Sequence, residues 1–138
     1  MRKLRLTILT VKTESTWRIP GEVDWSVSLC CDPTGYFLVG REIPHEPRKA
    51  RRKKVYVEEG WAQKIVAKLK TLQIPPAPDF VMGCDGGFTE LKIGGYEGGA
   101  RYRWWSEPPA GWRELDDLAR EVFLTFIPET ESDKAEER

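Results

Sequence analysis

Proton transfer and nucleophilic attack usually need a nucleophile, a base and an orienting group brought together, and this chain has few residues suited to those roles. Its single histidine is His45, which stands in a polar segment between two prolines. Grouping it with Cys84 and Asp85 would supply the three roles, yet no local motif surrounds any member. Acids such as Asp79, Asp85 and Glu90 could still meet in a cleft, so an enzyme with an unfamiliar site stays an alternative. The sequence itself predicts no catalytic residue.

Metal and nucleotide sites are not indicated either. Cysteine and histidine are zinc ligands, but Cys30, Cys31, Cys84 and His45 lack the paired spacings of structural zinc sites. Glycines cluster at 86–87 and 94–99 without a Gly-Lys-Ser/Thr phosphate loop or a Gly-x-Gly-x-x-Gly that leads into a helix. We interpret them as turn residues and expect no cofactor and no metal.

The composition limits which cellular compartment and which partners the protein can be expected to have. The three cysteines are an odd number, and a disulfide between the adjacent Cys30 and Cys31 would be strained, which favours a reducing compartment. No apolar run approaches the ~20 residues needed to cross a bilayer. We therefore expect a cytoplasmic protein without a membrane partner. The 22 basic and 22 acidic residues cancel, so attraction to a charged partner must come from a local cluster.

One local cluster is the basic run at positions 48–54. On a mobile loop it could bind nucleic-acid phosphates or an acidic protein patch. Alternatively it is a solvated loop and edge strand whose lysines oppose aggregation. The candidate nucleic-acid-binding residues of this run are Arg48, Lys49, Arg51, Arg52, Lys53 and Lys54.

A second cluster is the segment at 101–105, Arg-Tyr-Arg-Trp-Trp. Strand alternation places Tyr102 and Trp104 on one face and the other three side chains on the opposite face. If the first pair belongs to the core, Arg101, Arg103 and Trp105 point outward, a composition favoured at protein-interface hot spots and able to stack on bases. Alternatively, Trp105 lies under a loop and the arginines pair with acids. The candidate protein-binding residues are Tyr96, Arg101, Arg103 and Trp105.

Hydrophobic periodicity predicts the elements that position these clusters. Alternation indicates strands over 4–11, 23–30, 36–41, 53–58, 88–93 and 101–105, and three-and-four spacing indicates helices over 61–72 and 112–126. In the first strand we expect Leu4, Leu6 and Ile8 to share a face. The predicted fold is α+β, a mainly antiparallel sheet of five to six strands with two helices packed on one face. We expect residues 1–127 to form a single domain and residues 128–138 to be a disordered acidic tail.

Residues 85–126 carry a glycine-rich hairpin, Arg-Tyr-Arg-Trp-Trp, Pro-Pro-Ala-Gly-Trp and an amphipathic helix. This pattern resembles small, poorly characterised bacterial α+β proteins, some of which are similar to immunity or inhibitor proteins encoded beside toxins. The resemblance implies a protein that binds a toxin or effector component and catalyses nothing. From the residues and this resemblance together, the leading hypothesis is a protein-binding domain, and the alternative is a nucleic-acid binder that uses the basic run.

Overall fold

Strands form where apolar and polar residues alternate, and helices form where apolar residues recur every three or four positions. The computed structural model describes residues 5–15, 21–73, 87–95 and 98–136, with the backbone alone described from 128 onward. Within these residues the elements are β1 (Leu6–Ser15), β2 (Val23–Asp32), β3 (Gly35–Pro44), β4 (Arg52–Tyr56), α1 (Glu59–Lys70), β5 (Gly87–Gly95), β6 (Gly98–Trp105) and α2 (Arg113–Glu136).

The strands form one six-stranded antiparallel sheet in the order β4-β3-β2-β1-β5-β6. A tight turn at Pro33–Thr34 joins β2 to β3, and Asp32 closes it by accepting hydrogen bonds from Thr34. The predicted α+β fold is thus confirmed. Its strands are longer than predicted, because β1 continues through polar residues to Ser15 and β3 continues to Pro44.

Both helices pack on the same face of the sheet, because the buried side chains of the strands and helices form one cluster. Strand residues of that cluster include Leu29 and Leu38, which are direct neighbours across β2 and β3. The helical members are Ala62 and Ile65 from α1 and Leu115, Leu118, Ala119, Val122 and Phe126 from α2. Burial of this apolar area is the main force that holds the helices to the sheet.

Two details of the core were not predicted, a register shift in β1 and the packing of a ring over a glycine of β3. The pairing of β1 with β2 shifts register between Thr7 and Leu9, so the alternation changes faces there. Leu6 is exposed and Leu9 is fully buried, which means that the predicted face of β1 does not persist along the strand. On β3, the ring of Phe126 lies directly over Gly40, in the space that any side chain would occupy.

The second helix is longer than the apolar pattern indicates. We expected it to end near Phe126, whereas its backbone continues through Pro128 to Glu136. The division of the chain into a domain at 1–127 and an acidic disordered tail at 128–138 stays a prediction.

Candidate functional site

The face of the sheet opposite the helices is the candidate functional site. We call it the helix-free face, because no helix of the described residues packs on it. Side chains that lie directly across from one another in the sheet share a face. By this register the helix-free face carries Arg52, Lys54 and Tyr56 of β4; Phe37, Val39 and Arg41 of β3; Asp24, Ser26, Ser28, Cys30 and Asp32 of β2; Thr10, Lys12 and Glu14 of β1; Phe88, Glu90 and Lys92 of β5; and Arg101, Arg103 and Trp105 of β6.

Positive charge dominates this face although the whole chain is neutral. Among the described residues, its carboxylates are Glu14, Asp24, Asp32 and Glu90. They are outnumbered by the cations of the face, which are Arg5, Lys12, Arg41, Arg52, Lys54, Lys92, Arg101 and Arg103. A neutral chain with one cationic face must carry its excess of acids elsewhere, so the charge is segregated.

The two edges of the helix-free face differ in how their cations are paired. At the β5–β6 edge, Arg103 contacts Glu14 at 2.9 Å and Arg101 contacts Glu90 at 3.3 Å. At the β3–β4 edge, no ion pair joins Arg41 or Arg52 to a carboxylate of the described residues. The arginines of the β3–β4 edge therefore differ from those of the β5–β6 edge in having no carboxylate partner among the described residues.

The predicted alternation of residues 101–105 agrees with the structure. Trp104 is 2% exposed, and the Tyr102 ring packs edge-on to Trp112 with 5.5 Å between centroids. Arg101 and Arg103 are exposed on the opposite face. Trp105 is half-buried against Phe88, at 4.8 Å between ring centroids, and so it is neither fully exposed nor core. Tyr96 lies outside the described residues.

The arginines of this edge are held in place by their neighbours. The guanidinium of Arg103 lies 4.0 Å from the centroid of the Phe88 ring and also binds Glu14. The structure thus places Arg101, Arg103 and Trp105 together, and each of them already contacts another residue of this chain. This is the arrangement that the sequence offered as the alternative for the arginines.

The basic run at 48–54 does not form a single patch, because the structure divides it. Arg48 binds Glu42 at 3.2 Å, and the backbone N–H of Arg51 donates to the same carboxylate at 3.1 Å. Lys53 points to the helix-covered face, whereas Arg52 and Lys54 point to the helix-free face. Lys49 is exposed in the loop.

Glu42 anchors this loop. Its side chain is buried, and burial raises the pKa of a carboxyl group; hydrogen bonds and positive charge from Arg48 and Arg51 outweigh that effect and hold the pKa of Glu42 below its ordinary value. Two members of the predicted nucleic-acid-binding set, Arg48 and Arg51, therefore fasten the loop to β3.

The β3–β4 edge brings several cations together. Arg41 and Arg52 lie directly opposite each other in the antiparallel pair, and both are exposed. Next to them, Arg52 and Lys54 line a pocket of about 450 Å³ whose other lining residues are Arg5, Asp32, Phe37 and Val39. We call this the cation pocket. Neither Arg5 nor Arg41 was among the predicted site residues.

The only histidine, His45, has a structural environment that the sequence did not indicate. Its Nε2 lies 2.9 Å from Oδ2 of Asp24, and its side chain is 1% exposed. The backbone N–H and the hydroxyl of Ser15 donate to the same carboxylate, at 3.0 and 2.8 Å. Burial would raise the pKa of Asp24, but these hydrogen bonds and the nearby imidazole hold it below its ordinary value.

This buried group differs from a catalytic serine triad. In such a triad the histidine lies between the serine and the carboxylate and accepts the serine proton. Here the carboxylate of Asp24 lies between Ser15 and His45, and the Ser15 hydroxyl donates to it. The group joins β1, β2 and the end of β3, and its geometry fits a structural role.

The other residues considered for chemistry are separated or not described. Cys30 is buried with Phe37 and Val39, and Cys31 is half-buried; both are free thiols. Cys84 and Asp85 lie outside the described residues, as does Asp79. Among the residues that are described, no cluster of histidine, cysteine or acidic side chains is arranged to hold a metal ion. Likewise, neither described helix has the length and apolar character of a membrane-spanning segment.

Comparison of the chain with protein-family models, with curated proteins and with solved structures found no match.

Proposed function

We propose that this protein acts by binding, and that the helix-free face docks an acidic surface of a protein partner, such as a toxin or effector component. The observation that carries the proposal is charge segregation: a chain with equal numbers of acids and bases presents a sheet face on which cations outnumber carboxylates. Clustered charge of one sign steers an oppositely charged partner and orients its approach.

The residues available on this face suit a protein interface. Tyr56 is 62% exposed beside Lys54, and arginine and tyrosine are enriched at interface hot spots. Strand spacing of ~4.8 Å places the β4 and β6 edges about 24 Å apart, which is wide enough for a standard interface. Arg103, already oriented by Glu14 and Phe88, would provide a preorganised contact at the far edge.

A nucleic-acid partner is the second candidate, and the specific observation in its favour is that Arg52, Lys54 and Arg41 are grouped at one edge. Single-strand binders, however, combine cations with aromatic rings on which bases stack. The Phe37 ring is 2% exposed under Lys54, and Arg103 covers Phe88. Since most rings on the face are covered, the protein partner is the better fit.

Action in the cytoplasm belongs to the same proposal. The described cysteines, Cys30 and Cys31, are both free thiols, which fits a reducing compartment. The resemblance of residues 85–126 to immunity and inhibitor proteins supports a binding role of the same kind.

Affinity capture from a lysate of the source organism tests the proposal. The tagged protein is used alongside a face variant, Arg41→Gln with Arg52→Gln, and a control variant, Lys64→Gln with Lys70→Gln, which removes equal charge from exposed positions of α1. We expect one protein that survives nuclease treatment, is retained by the wild type and the control, and is lost from the face variant. Material that nuclease removes would favour the nucleic-acid candidate instead.

A further inference from the structure

The cation pocket is a concavity of about 450 Å³ within the helix-free face. Its floor is apolar, formed by Phe37 and Val39, and its rim carries Arg5, Arg52 and Lys54. The Lys54 ammonium lies 4.1 Å and the Arg5 guanidinium 5.8 Å from the centroid of the same Phe37 ring. The two charged groups are therefore no more than about 10 Å apart, over a floor that offers no hydrogen-bond acceptor from either side chain.

The positive charge of this pocket is poorly compensated. Among the described residues, Asp32 is the single carboxylate in its lining, and hydrogen bonds from Thr34, with the nearby charge of Lys54, hold the pKa of Asp32 below its ordinary value. Its Oδ1 accepts from Thr34 and is thus committed to the β2–β3 turn. No ion pair within the described residues neutralises Arg5, Arg52 or Lys54.

Two arginines of like charge lie opposite each other beside the pocket. Arg41 faces Arg52 directly across the β3–β4 pair, and like charges in that position destabilise a sheet. An anion bound between these side chains would relieve the repulsion. Because Arg52 belongs both to this pair and to the pocket, an anion bound in the pocket would lower the repulsion as well.

We propose that the cation pocket binds a phosphate monoester in its dianionic form. Guanidinium groups bind phosphate through two parallel hydrogen bonds, and a lysine ammonium adds a compact charge. Three cations against one committed carboxylate favour a dianion over a monoanion, because each added ligand charge interacts with all of them. The ester group would extend toward the exposed ring of Tyr56, which Lys54 Nζ approaches to 4.9 Å. The proposal does not depend on the protein partner proposed above.

Titration calorimetry with small ligands tests the proposal. The ligands are inorganic phosphate, phenyl phosphate and adenosine 5′-monophosphate, and phenyl sulfate serves as a monoanion of nearly the same shape. The pocket variant combines Arg52→Gln with Lys54→Met, which keeps an apolar stem over Phe37; Lys64→Gln with Lys70→Gln is the matched control. Equal melting temperatures of the three proteins would establish that the variants are folded.

At pH 7.5 we expect the dissociation constant of phenyl phosphate to be at least tenfold smaller for the wild type and the control than for the pocket variant. For the wild type, we also expect phenyl phosphate to bind at least tenfold more tightly than phenyl sulfate. Lowering the pH to 5 should weaken phosphate binding, because the second phosphate ionisation lies near pH ~6. Asp32 keeps its charge over this range because its pKa is lowered, and the other charged groups that face the pocket or lie beside it are Arg5, Arg41, Arg52 and Lys54.

The ranking of ligands then identifies the source of the phosphate. Tighter binding of adenosine 5′-monophosphate than of phenyl phosphate would support a nucleotide, and the reverse order would support an aryl phosphate. The proposal is overturned if the wild type binds none of the phosphates at millimolar concentration, if phenyl sulfate binds equally well, or if the pocket variant keeps wild-type affinity.

Discussion

Replacing Asp24 by alanine should destabilise the fold more than any other single change at a polar residue of β2. The Asp24 carboxylate accepts from Nε2 of His45 at 2.9 Å, from the backbone N–H of Ser15 at 3.0 Å and from the Ser15 hydroxyl at 2.8 Å. The alanine variant leaves all three groups without this acceptor. Ser15 is half-buried and can regain water, but the His45 side chain is 1% exposed and cannot do so easily.

The expected magnitude follows from these contacts. Hydrogen bonds to a charged group contribute about 1.5–3 kcal/mol each; the alanine variant removes three of them, and the Ser15 groups regain part of theirs from water, so we expect a net loss of about 4 kcal/mol. With a urea m-value of about 2 kcal/mol/M, a loss of about 4 kcal/mol of unfolding free energy would lower the urea midpoint by about 2 M. Ser15→Ala removes one hydroxyl donor only and should cost about 1 kcal/mol.

Urea unfolding followed by tryptophan fluorescence at pH 7 measures both variants. The Asp24→Asn variant tests how the unfolding free energy depends on pH. Because the pKa of Asp24 is lowered in the folded state, its ionised form stabilises the fold above the unfolded value of 3.8, and this contribution is lost as the pH falls through the folded value. The difference between wild type and Asp24→Asn should therefore shrink from pH 5 to pH 3. If Asp24→Ala lies within 1 kcal/mol of the wild type at pH 7, the assigned role of the network is wrong.

Two further predictions concern the core and the basic loop. Gly40→Ala places a methyl group in the space that the Phe126 ring occupies, so we expect a loss of about 1–3 kcal/mol in unfolding free energy. Its control, Gly60→Ala in α1, meets open space and should stabilise by up to about 1 kcal/mol; equal effects of the two in urea unfolding would contradict the packing of Phe126. Glu42→Gln weakens the anchor of Arg48, so limited trypsin digestion should cleave the loop at 46–51 faster than in the wild type, and an unchanged rate would refute that anchoring role.

The fold was predictable wherever a segment had a clean hydrophobic period. The alternation of Tyr102 and Trp104 against Arg101 and Arg103 was correct because β6 pairs with β5 without a shift of register. In β1 the alternation misled, since a register shift near Thr7 cannot be detected from the polarity of neighbouring residues.

The candidate site was less predictable because it depends on which strands are neighbours. Arg41 and Arg52 are eleven positions apart in the sequence, and only the β3–β4 register brings them opposite each other. Asp24 and His45 meet in the same way, through the pairing of β2 with β3. The basic run suggested one patch, but strand alternation sends Lys53 to the other face from Lys54. Applying that alternation to residues 52–56 would have divided the run in advance.

The most direct test of the central claim is the affinity of the captured protein partner for the face variant, Arg41→Gln with Arg52→Gln, relative to the wild type and to Lys64→Gln with Lys70→Gln. Docking on the helix-free face predicts at least a tenfold larger dissociation constant for the face variant, a change of less than twofold for the α1 control, and a loss of affinity as salt is added. An unchanged dissociation constant for the face variant, or an equal loss in the control, would contradict docking through this face.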